Sequence, residues 1–214
     1  MIESLALAAA LAVGAAAPVG PPAGPDAAWE AYERGDHARA LHEYRAAAER
    51  GVRLAQFNLA MMLIRGEGQE ADPAQALAWL RSAAAADLPQ AQYNLGLLYE
   101  RGVHVRRSQT DAAQWYRRAA EQGHAEAQLA LATQYFLGRG VPLDYVAAAR
   151  WYEAAAESGD AAAQYIIASC YEQGTGVAVD LRKALAWYVR AGLQGDLAAQ
   201  IKARDLARRV DGVK

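Results

Sequence analysis

The chain alternates two kinds of apolar segment, each spaced like one face of an α-helix. The first kind is seen in residues 88–102 and ends at a glycine, Gly102. Glycine adopts the left-handed conformation that closes many helices, so we expect this segment, helix A, to end there. Its apolar positions follow the order i, i+4, i+7 and i+8: Ala91, Leu95, Leu98 and Tyr99.

A second kind of segment follows after a loop. Residues 111–123 place apolar side chains at i, i+3, i+4 and i+7, and Gly123 again closes the pattern. A residue with a side-chain oxygen recurs just before this segment, where it can accept a hydrogen bond from a free backbone amide of the first turn. We therefore predict helix B in each unit, capped by Asp72, Ser108, Asp144 and Asp180.

Both segments recur at a fixed step of 36 residues, with no insertion between copies. A period of this length is typical of a solenoid, in which one helix pair cannot bury its apolar face alone and stacks on the next pair. The sequence therefore predicts an all-α fold, an α-solenoid of antiparallel helix pairs. The step is marked by Gln56, Gln92, Gln128, Gln164 and Gln200, and by Trp79, Trp115, Trp151 and Trp187.

The recurring large residues are expected to form the interior of the stack. A buried tryptophan removes roughly 150 to 250 Å² from water, so we expect each one to fill the gap between neighbouring units rather than to line a ligand groove. The predicted core consists of Trp79, Trp115, Trp151, Trp187, Leu59, Leu95, Leu131, Tyr99, Tyr135 and Tyr171.

Residues that project from helix A away from helix B would line a groove. A groove of this kind could hold an extended or helical peptide by apolar contact, with Asn58 and Asn94 hydrogen-bonding to the peptide backbone. These residues form two rows. The first row is Phe57, Tyr93, Leu129, Tyr165 and Ile201, and the second is Met61, Leu97, Thr133 and Ser169. The alternative is that the first row packs between adjacent helices.

The first 25 residues differ from the rest of the chain. From Leu5 to Ala17 only Leu, Ala, Val and Gly occur, a run with the length of a signal-peptide core and too short to span a membrane as a helix. We predict a signal peptide over 1–17 and a stiff, unfolded Pro/Gly-rich spacer over 18–25. The n-region has no Lys or Arg, so an uncleaved anchor in the inner membrane and a disordered cytosolic leader stay as alternatives.

The remaining boundaries follow from the repeat. Residues 26–50 form a helix pair with a tight turn, in which Glu43 takes the place of the tryptophan. Residues 51–210 hold four full units and a last helix A, whose charged side chains are expected to make a polar cap rather than a basic docking patch. Residues 211–214 are a tail.

Composition excludes several classes of function. The chain is 54% hydrophobic and 21% charged, which suits a packed soluble domain, and its net charge of -2 offers no basic stripe for nucleic acid. Cys170 is the single cysteine and cannot form an internal disulfide. We expect it to be a small buried residue rather than a reactive thiol.

Residues 91–102 and 183–191 resemble the Sel1-like repeat, a relative of the tetratricopeptide repeat, and the resemblance extends over about residues 51–209. Residues 26–50 resemble a tetratricopeptide unit. This resemblance implies a right-handed superhelix whose concave face is lined by A helices. It also implies a bacterial, exported adaptor or regulator that binds other proteins. The basic residues of a carboxylate clamp are absent, because apolar residues occupy the matching places.

An enzymatic role is disfavoured. A cysteine-rich branch of Sel1-like proteins is linked with β-lactam binding or hydrolysis, but it has two cysteines in each unit where this chain has only Cys170. Ser82, Ser158 and Ser169 lack the lysine three residues later that a Ser-x-x-Lys nucleophile needs. His37 and His42 lack metal-ligand spacing. We expect no catalytic residue, metal or other cofactor.

Two hypotheses for function remain. In the first, the chain is a periplasmic scaffold or regulator whose groove binds a peptide or protein partner. In the second, it is secreted and binds a host or surface protein. Both predict a monomer without a membrane span in the mature chain and without nucleic-acid binding.

Overall fold

The computed structural model describes residues 18–20 and 26–211, and within them the secondary structure consists of eleven α-helices without a β-strand. This confirms the all-α class. The chain divides into two compact halves, Met1–Trp115 and Tyr116–Lys214, each described by itself below. The predicted signal peptide, positions 21–25 of the spacer and positions 212–214 of the tail lie outside the described residues.

The helices alternate between the two predicted kinds. A short first pair is followed by 13-residue helices with the offset of the repeat. The bounds are α1 Ala27–Glu33, α2 His37–Glu49, α3 Arg53–Arg65, α4 Pro73–Ala85, α5 Pro89–Arg101, α6 Gln109–Glu121, α7 Ala125–Leu137, α8 Tyr145–Glu157, α9 Ala161–Gln173, α10 Leu181–Leu193 and α11 Leu197–Asp211. Helices α3, α5, α7, α9 and α11 are A helices, and the boundary between the halves falls within α6.

The turn from helix A to helix B is built from the same bonds in each repeat unit. Helix α5 ends at Gly102, whose φ of +73° is left-handed, as predicted from the sequence. The cap residue of the following helix donates its own amide to a carbonyl near the end of helix A, as Ser108 does to Tyr99 at 2.9 Å. Its side chain then accepts from the first turn, as Ser108 Oγ does from the amide of Asp111 at 3.1 Å. Asp72, Asp144 and Asp180 cap α4, α8 and α10 in the same way.

The turn from helix B to the next helix A is held by the recurring glutamine. In each case the side-chain amide donates to the carbonyl eight residues earlier, at the end of the preceding helix B, over 2.8 to 3.2 Å. All of these glutamines except the last are buried. The donor–acceptor pairs are Gln56 with Ala48, Gln92 with Ala84, Gln128 with Ala120, Gln164 with Ala156 and Gln200 with Gly192.

The deepest aromatic positions are not the tryptophans. Trp79, Trp115 and Trp151 are only partly buried, and only Trp187, at 8% exposure, counts as buried. The expectation that tryptophan fills the interior is corrected, because the residue after each tryptophan points inward instead and the bulky indole lies at the margin. The buried series is Tyr44 and Leu80 in the N-terminal half, and Tyr116, Tyr152 and Tyr188 in the C-terminal half.

The other predicted core positions differ in how deeply they are buried. Leu59, Leu95 and Leu131 are at most 1% exposed. Of the tyrosines near the ends of the A helices, Tyr171 is buried, whereas Tyr99 and Tyr135 are partly buried. Their rings reach the surface at the turn, where the Arg117 guanidinium donates to the Tyr135 hydroxyl at 2.8 Å.

The described part of the spacer packs against the N-terminal half. Pro18 is buried, and Val19 contacts the apolar core. A Cβ added at Gly20 would lie 3.1 Å from the Trp29 indole, so this residue packs closely against the ring. The expectation of an unfolded spacer is therefore wrong for residues 18–20, because a burial site for Val19 exists beside α3.

We expect Gln164→Leu to destabilise the C-terminal half. Gln164 Nε2 donates to Ala156 O at 3.1 Å, and Gln164 Oε1 accepts from Gln194 Nε2 at 2.8 Å. Leucine can form neither bond, which predicts a loss of about 1 to 3 kcal/mol in the free energy of unfolding. Thermal unfolding followed by circular dichroism measures the effect. Gln173→Leu, at an exposed position on the same helix, is the control, and equal melting of the two variants would contradict the prediction.

Candidate functional site

The predicted groove residues of the N-terminal half fall into two groups. Tyr93 and Leu97 on α5 are partly buried and reach the surface. Phe57 and Met61 on α3 have no exposed surface at all. The assignment of these two residues to an open groove is corrected, because α3 is buried on all sides from Ala55 to Ile64.

In the C-terminal half, most of the corresponding residues are half-buried, and two of them contact tyrosines of the following B helix. Leu129, Thr133, Tyr165 and Ser169 are all partly buried. Thr133 Oγ1 lies 3.2 Å from the Tyr152 hydroxyl, and the Tyr165 ring meets the Tyr188 ring edge-on at 5.3 Å. Ile201, the last member of the first row, is 63% exposed.

Asn58 already holds an extended backbone. Its Oδ1 accepts from the Val19 amide at 2.9 Å, and its Nδ2 donates to the Val19 carbonyl at 2.8 Å. Both halves of one amide side chain thus pair with both polar groups of one residue, as a neighbouring β-strand would. Asn58 is 1% exposed, so these bonds satisfy a polar group that is costly to bury alone.

The matching asparagine of the next unit does something different. Asn94 Nδ2 donates to Gln90 O, one turn back on its own helix, at 2.8 Å. Later units have Ala130 and Ile166 in this register position, which cannot make such bonds. Of the two predicted backbone-binding asparagines, only Asn58 therefore pairs with a peptide segment in the structure.

A cavity of about 560 Å³ adjoins Val19. The Tyr44 side chain borders it, and the Tyr44 hydroxyl is buried without a hydrogen bond of good geometry to any described residue. Burial raises the pKa of this hydroxyl to about 12, while the nearby Asn58 side chain acts in the opposite direction. The cavity is lined by Val19, Gly20, Asp26, Tyr44, Ala47, Val52, Arg53, Leu54, Ala55, Leu88 and Gln90.

A polar cluster borders the last A helix of the C-terminal half. Glu172 Oε2 accepts from Lys202 Nζ at 3.1 Å and from the Tyr188 hydroxyl at 3.0 Å, and Glu172 Oε1 accepts from Arg209 Nη1 at 2.9 Å. Burial by itself raises the pKa of Glu172, but these three bonds outweigh it and hold the pKa below its ordinary value. Two of the charged residues expected to cap the solenoid are thus bound by a carboxylate of the preceding unit.

The described residues show no reactive thiol and no cluster of metal ligands. Cys170 is buried, and burial raises the pKa of its thiol, which disfavours the nucleophilic thiolate. Across residues 18–20 and 26–210, no three His, Cys, Asp or Glu side chains converge in a way that could hold a metal ion. Within the same part of the chain, no helix combines the length and hydropathy that crossing a membrane requires.

Sequence reasoning missed Tyr44, Val19 and Glu172. Tyr44 could have been found, because it lies one repeat before Leu80 and two before Tyr116. Val19 lies outside the repeat, in a segment whose proline content predicts only an extended backbone. The position of Glu172 on α9 offers no signal that distinguishes it from other surface carboxylates.

Four consecutive segments match the Sel1 repeat family, residues 53–88, 89–124, 125–160 and 161–196. The chain belongs to this family. Its members are in general protein-interaction scaffolds and are typically not catalytic. No curated protein matches the chain.

Solved structures support the same assignment. A Sel1 repeat protein from Oxalobacter formigenes is 36% identical over 80% of this chain and 50% of its own, with a TM-score of 0.76. The antigen c5321 of uropathogenic Escherichia coli, described as a protective antigen with an SLR fold, is 29% identical over 97% of this chain and 42% of its own, with a TM-score of 0.79. This chain thus spans about half the length of either structure.

A third similarity concerns the fold alone. Cysteine rich protein B of Helicobacter pylori is 24% identical over 61% of this chain and 94% of its own, with a TM-score of 0.50.

We expect Asn58→Ala to release the backbone of Val19. Loss of the Oδ1 acceptor should leave the Val19 amide open to water, so its hydrogen exchange should accelerate at least tenfold, which corresponds to about 1.4 kcal/mol. Exchange measured by NMR or mass spectrometry tests this. Asn94→Ala, one repeat later, should leave Val19 protected. Equal protection in both variants would show that Asn58 does not hold the segment.

Glu172 should make the C-terminal half sensitive to acid. Its pKa in the folded state lies below the ordinary value of 4.5, so its stabilisation is present in full above that pH. The stabilisation is lost as pH falls through the folded-state pKa. Glu172→Gln should therefore lower the melting temperature at neutral pH and flatten its decrease between about pH 5 and pH 3. Glu157→Gln, at an exposed position, should retain the decrease, and identical acid profiles would contradict the role of Glu172.

Proposed function

We propose that this protein is a non-catalytic scaffold or regulator that binds a peptide or protein partner along its A helices. The observation that carries the proposal is the pairing of Asn58 with the backbone of Val19, at 2.9 and 2.8 Å. Main-chain pairing is the general means by which a protein binds extended peptides of varied sequence. The membership of a family of interaction scaffolds supports the same function.

We further propose that the protein acts in the periplasm. The support is the apolar run from Leu5 to Ala17, which has signal-peptide length. In the alternative, the protein is released and binds a host or surface protein. The similarity to c5321, described as a protective antigen, supports this alternative.

Fractionation of cells that express the tagged full chain tests the location. The periplasmic proposal expects the protein in the osmotic-shock fraction, and the secreted alternative expects it in the medium. Recovery with the cytosol would contradict both.

Capture from the envelope fraction tests the binding function. Asn58→Ala and Tyr93→Ala should each recover several-fold less of a partner that the wild type enriches, since both side chains lie on A helices of the N-terminal half. The control is Arg81→Ala, at an exposed position on helix B of the same half. Equal recovery by all three variants, with unchanged helicity by circular dichroism, would place the binding surface elsewhere.

A further inference from the structure

The segment Pro18–Gly20 is seated on α3 by contacts of two independent kinds. The first is the pair of hydrogen bonds between Asn58 and the Val19 backbone, which does not depend on the side chain at position 19. The second is apolar, because Pro18 is buried and Val19 contacts the core. Together they resemble the contacts of a bound peptide more than those of a connecting loop.

The site selects for particular residues on either side of Val19. Gly20 passes so close to the Trp29 indole that an added Cβ would lie 3.1 Å from the ring, so a larger residue is disfavoured there. Proline at position 18 keeps the backbone extended in the free segment and so lowers the entropy lost on binding. These contacts fit a sequence of proline, a small aliphatic residue and glycine.

The site is larger than its present occupant. The cavity beside Val19 has a volume of about 560 Å³ and extends to Leu88 and Gln90 of the next unit. A cavity of this size is in the usual range for a binding pocket. The Tyr44 side chain lines part of its wall together with apolar residues such as Ala47 and Val52, so a longer ligand would meet a mainly apolar surface there.

Charge argues for an uncharged ligand. The two charged residues of the cavity wall, Asp26 and Arg53, have opposite signs, and the rest of the lining is apolar or neutral. Arg53 already donates to the carbonyls of Ala86 and Asp87 at 3.3 and 3.2 Å. The wall therefore has no excess charge that would recognise a carboxylate or a phosphate.

We propose that the surface around Asn58 and Trp29, with the adjoining cavity, binds an extended, uncharged peptide of the type proline–small aliphatic–glycine, and that Pro18–Gly20 is the chain's own competing ligand on that surface. This inference rests on the proposed function and specifies its ligand. A partner with such a segment must displace Val19 from Asn58 before it binds. The affinity for the partner is therefore reduced by the fraction of molecules in which the internal segment is bound.

The substitution Val19→Pro in the full chain should release the internal segment and leave the residues of the binding surface unchanged. Proline has no amide hydrogen, so Asn58 Oδ1 loses its donor, and the backbone following Pro18 stays extended. The probe is a fluorescein-labelled peptide, Ala-Pro-Val-Gly-Pro, with blocked ends, and binding is measured by fluorescence anisotropy. Val19→Pro should bind this peptide at least tenfold more tightly than the wild type, which corresponds to internal occupancy of about 90%.

Two further variants locate the site in the Val19→Pro background. Adding Asn58→Ala should abolish the gain, whereas adding Asn94→Ala should preserve it, because Asn94 bonds to its own helix. A second peptide, Ala-Pro-Pro-Gly-Pro, lacks the central amide and should bind more weakly than the first. Circular dichroism should show equal helicity in all variants.

The outcomes distinguish this inference from the proposed function. Equal affinity of wild type and Val19→Pro for the peptide, or unchanged binding after Asn58→Ala, would contradict the proposal that Pro18–Gly20 is an internal ligand. Absence of peptide binding by every variant, with envelope capture still lost in Asn58→Ala, would reject the ligand class and keep the scaffold function. A wild type that dimerises with concentration, and a monomeric Val19→Pro, would show that the segment comes from a second copy of the chain.

Discussion

The repeat depends on one recurring hydrogen bond, from the glutamine near the start of each helix A to a carbonyl at the end of the preceding helix B. The acceptor is always eight residues earlier, at 2.8 to 3.2 Å, and the glutamine is buried in every unit except the last. A helix end leaves carbonyl groups without partners, and a buried amide that reaches one of them fixes where the next helix begins. The alanine before each glutamine leaves space for this close approach. The Ala-Gln pair thus sets the geometry that the apolar residues then fill.

The proposed binding site lies where the repeat is interrupted. In α5 the Asn94 side chain turns back to its own helix, and later units have no amide in this position. In α3 the preceding helix A is replaced by the short α1 and by the segment around Val19, so Asn58 meets an extended backbone. The segment Pro18–Gly20 thus covers part of this face of α3.

Much of the fold could be predicted from the sequence, because period, caps and closing glycines are local signals. Gly102 and Ser108 lie where the pattern places them, and the helix bounds differ from the predicted ones by one or two residues. The identity of the deepest residues could not be predicted, since Trp115 and Tyr116 lie next to each other and only packing decides which one points inward. Phe57 and Met61 were misassigned for a related reason. Their spacing on α3 matches that of Tyr93 and Leu97, but the burial of a face depends on what packs against it.

The buried thiol of Cys170 has a practical consequence for spectroscopy. Because its pKa is raised by burial, this cysteine should react slowly with maleimides at neutral pH, and a cysteine introduced at an exposed position would be labelled in preference. A fluorophore attached near Gly20, which lies against Trp29, would then report the surroundings of Pro18–Gly20 alone. The occupancy of that surface thereby becomes observable in solution while the native cysteine stays in place.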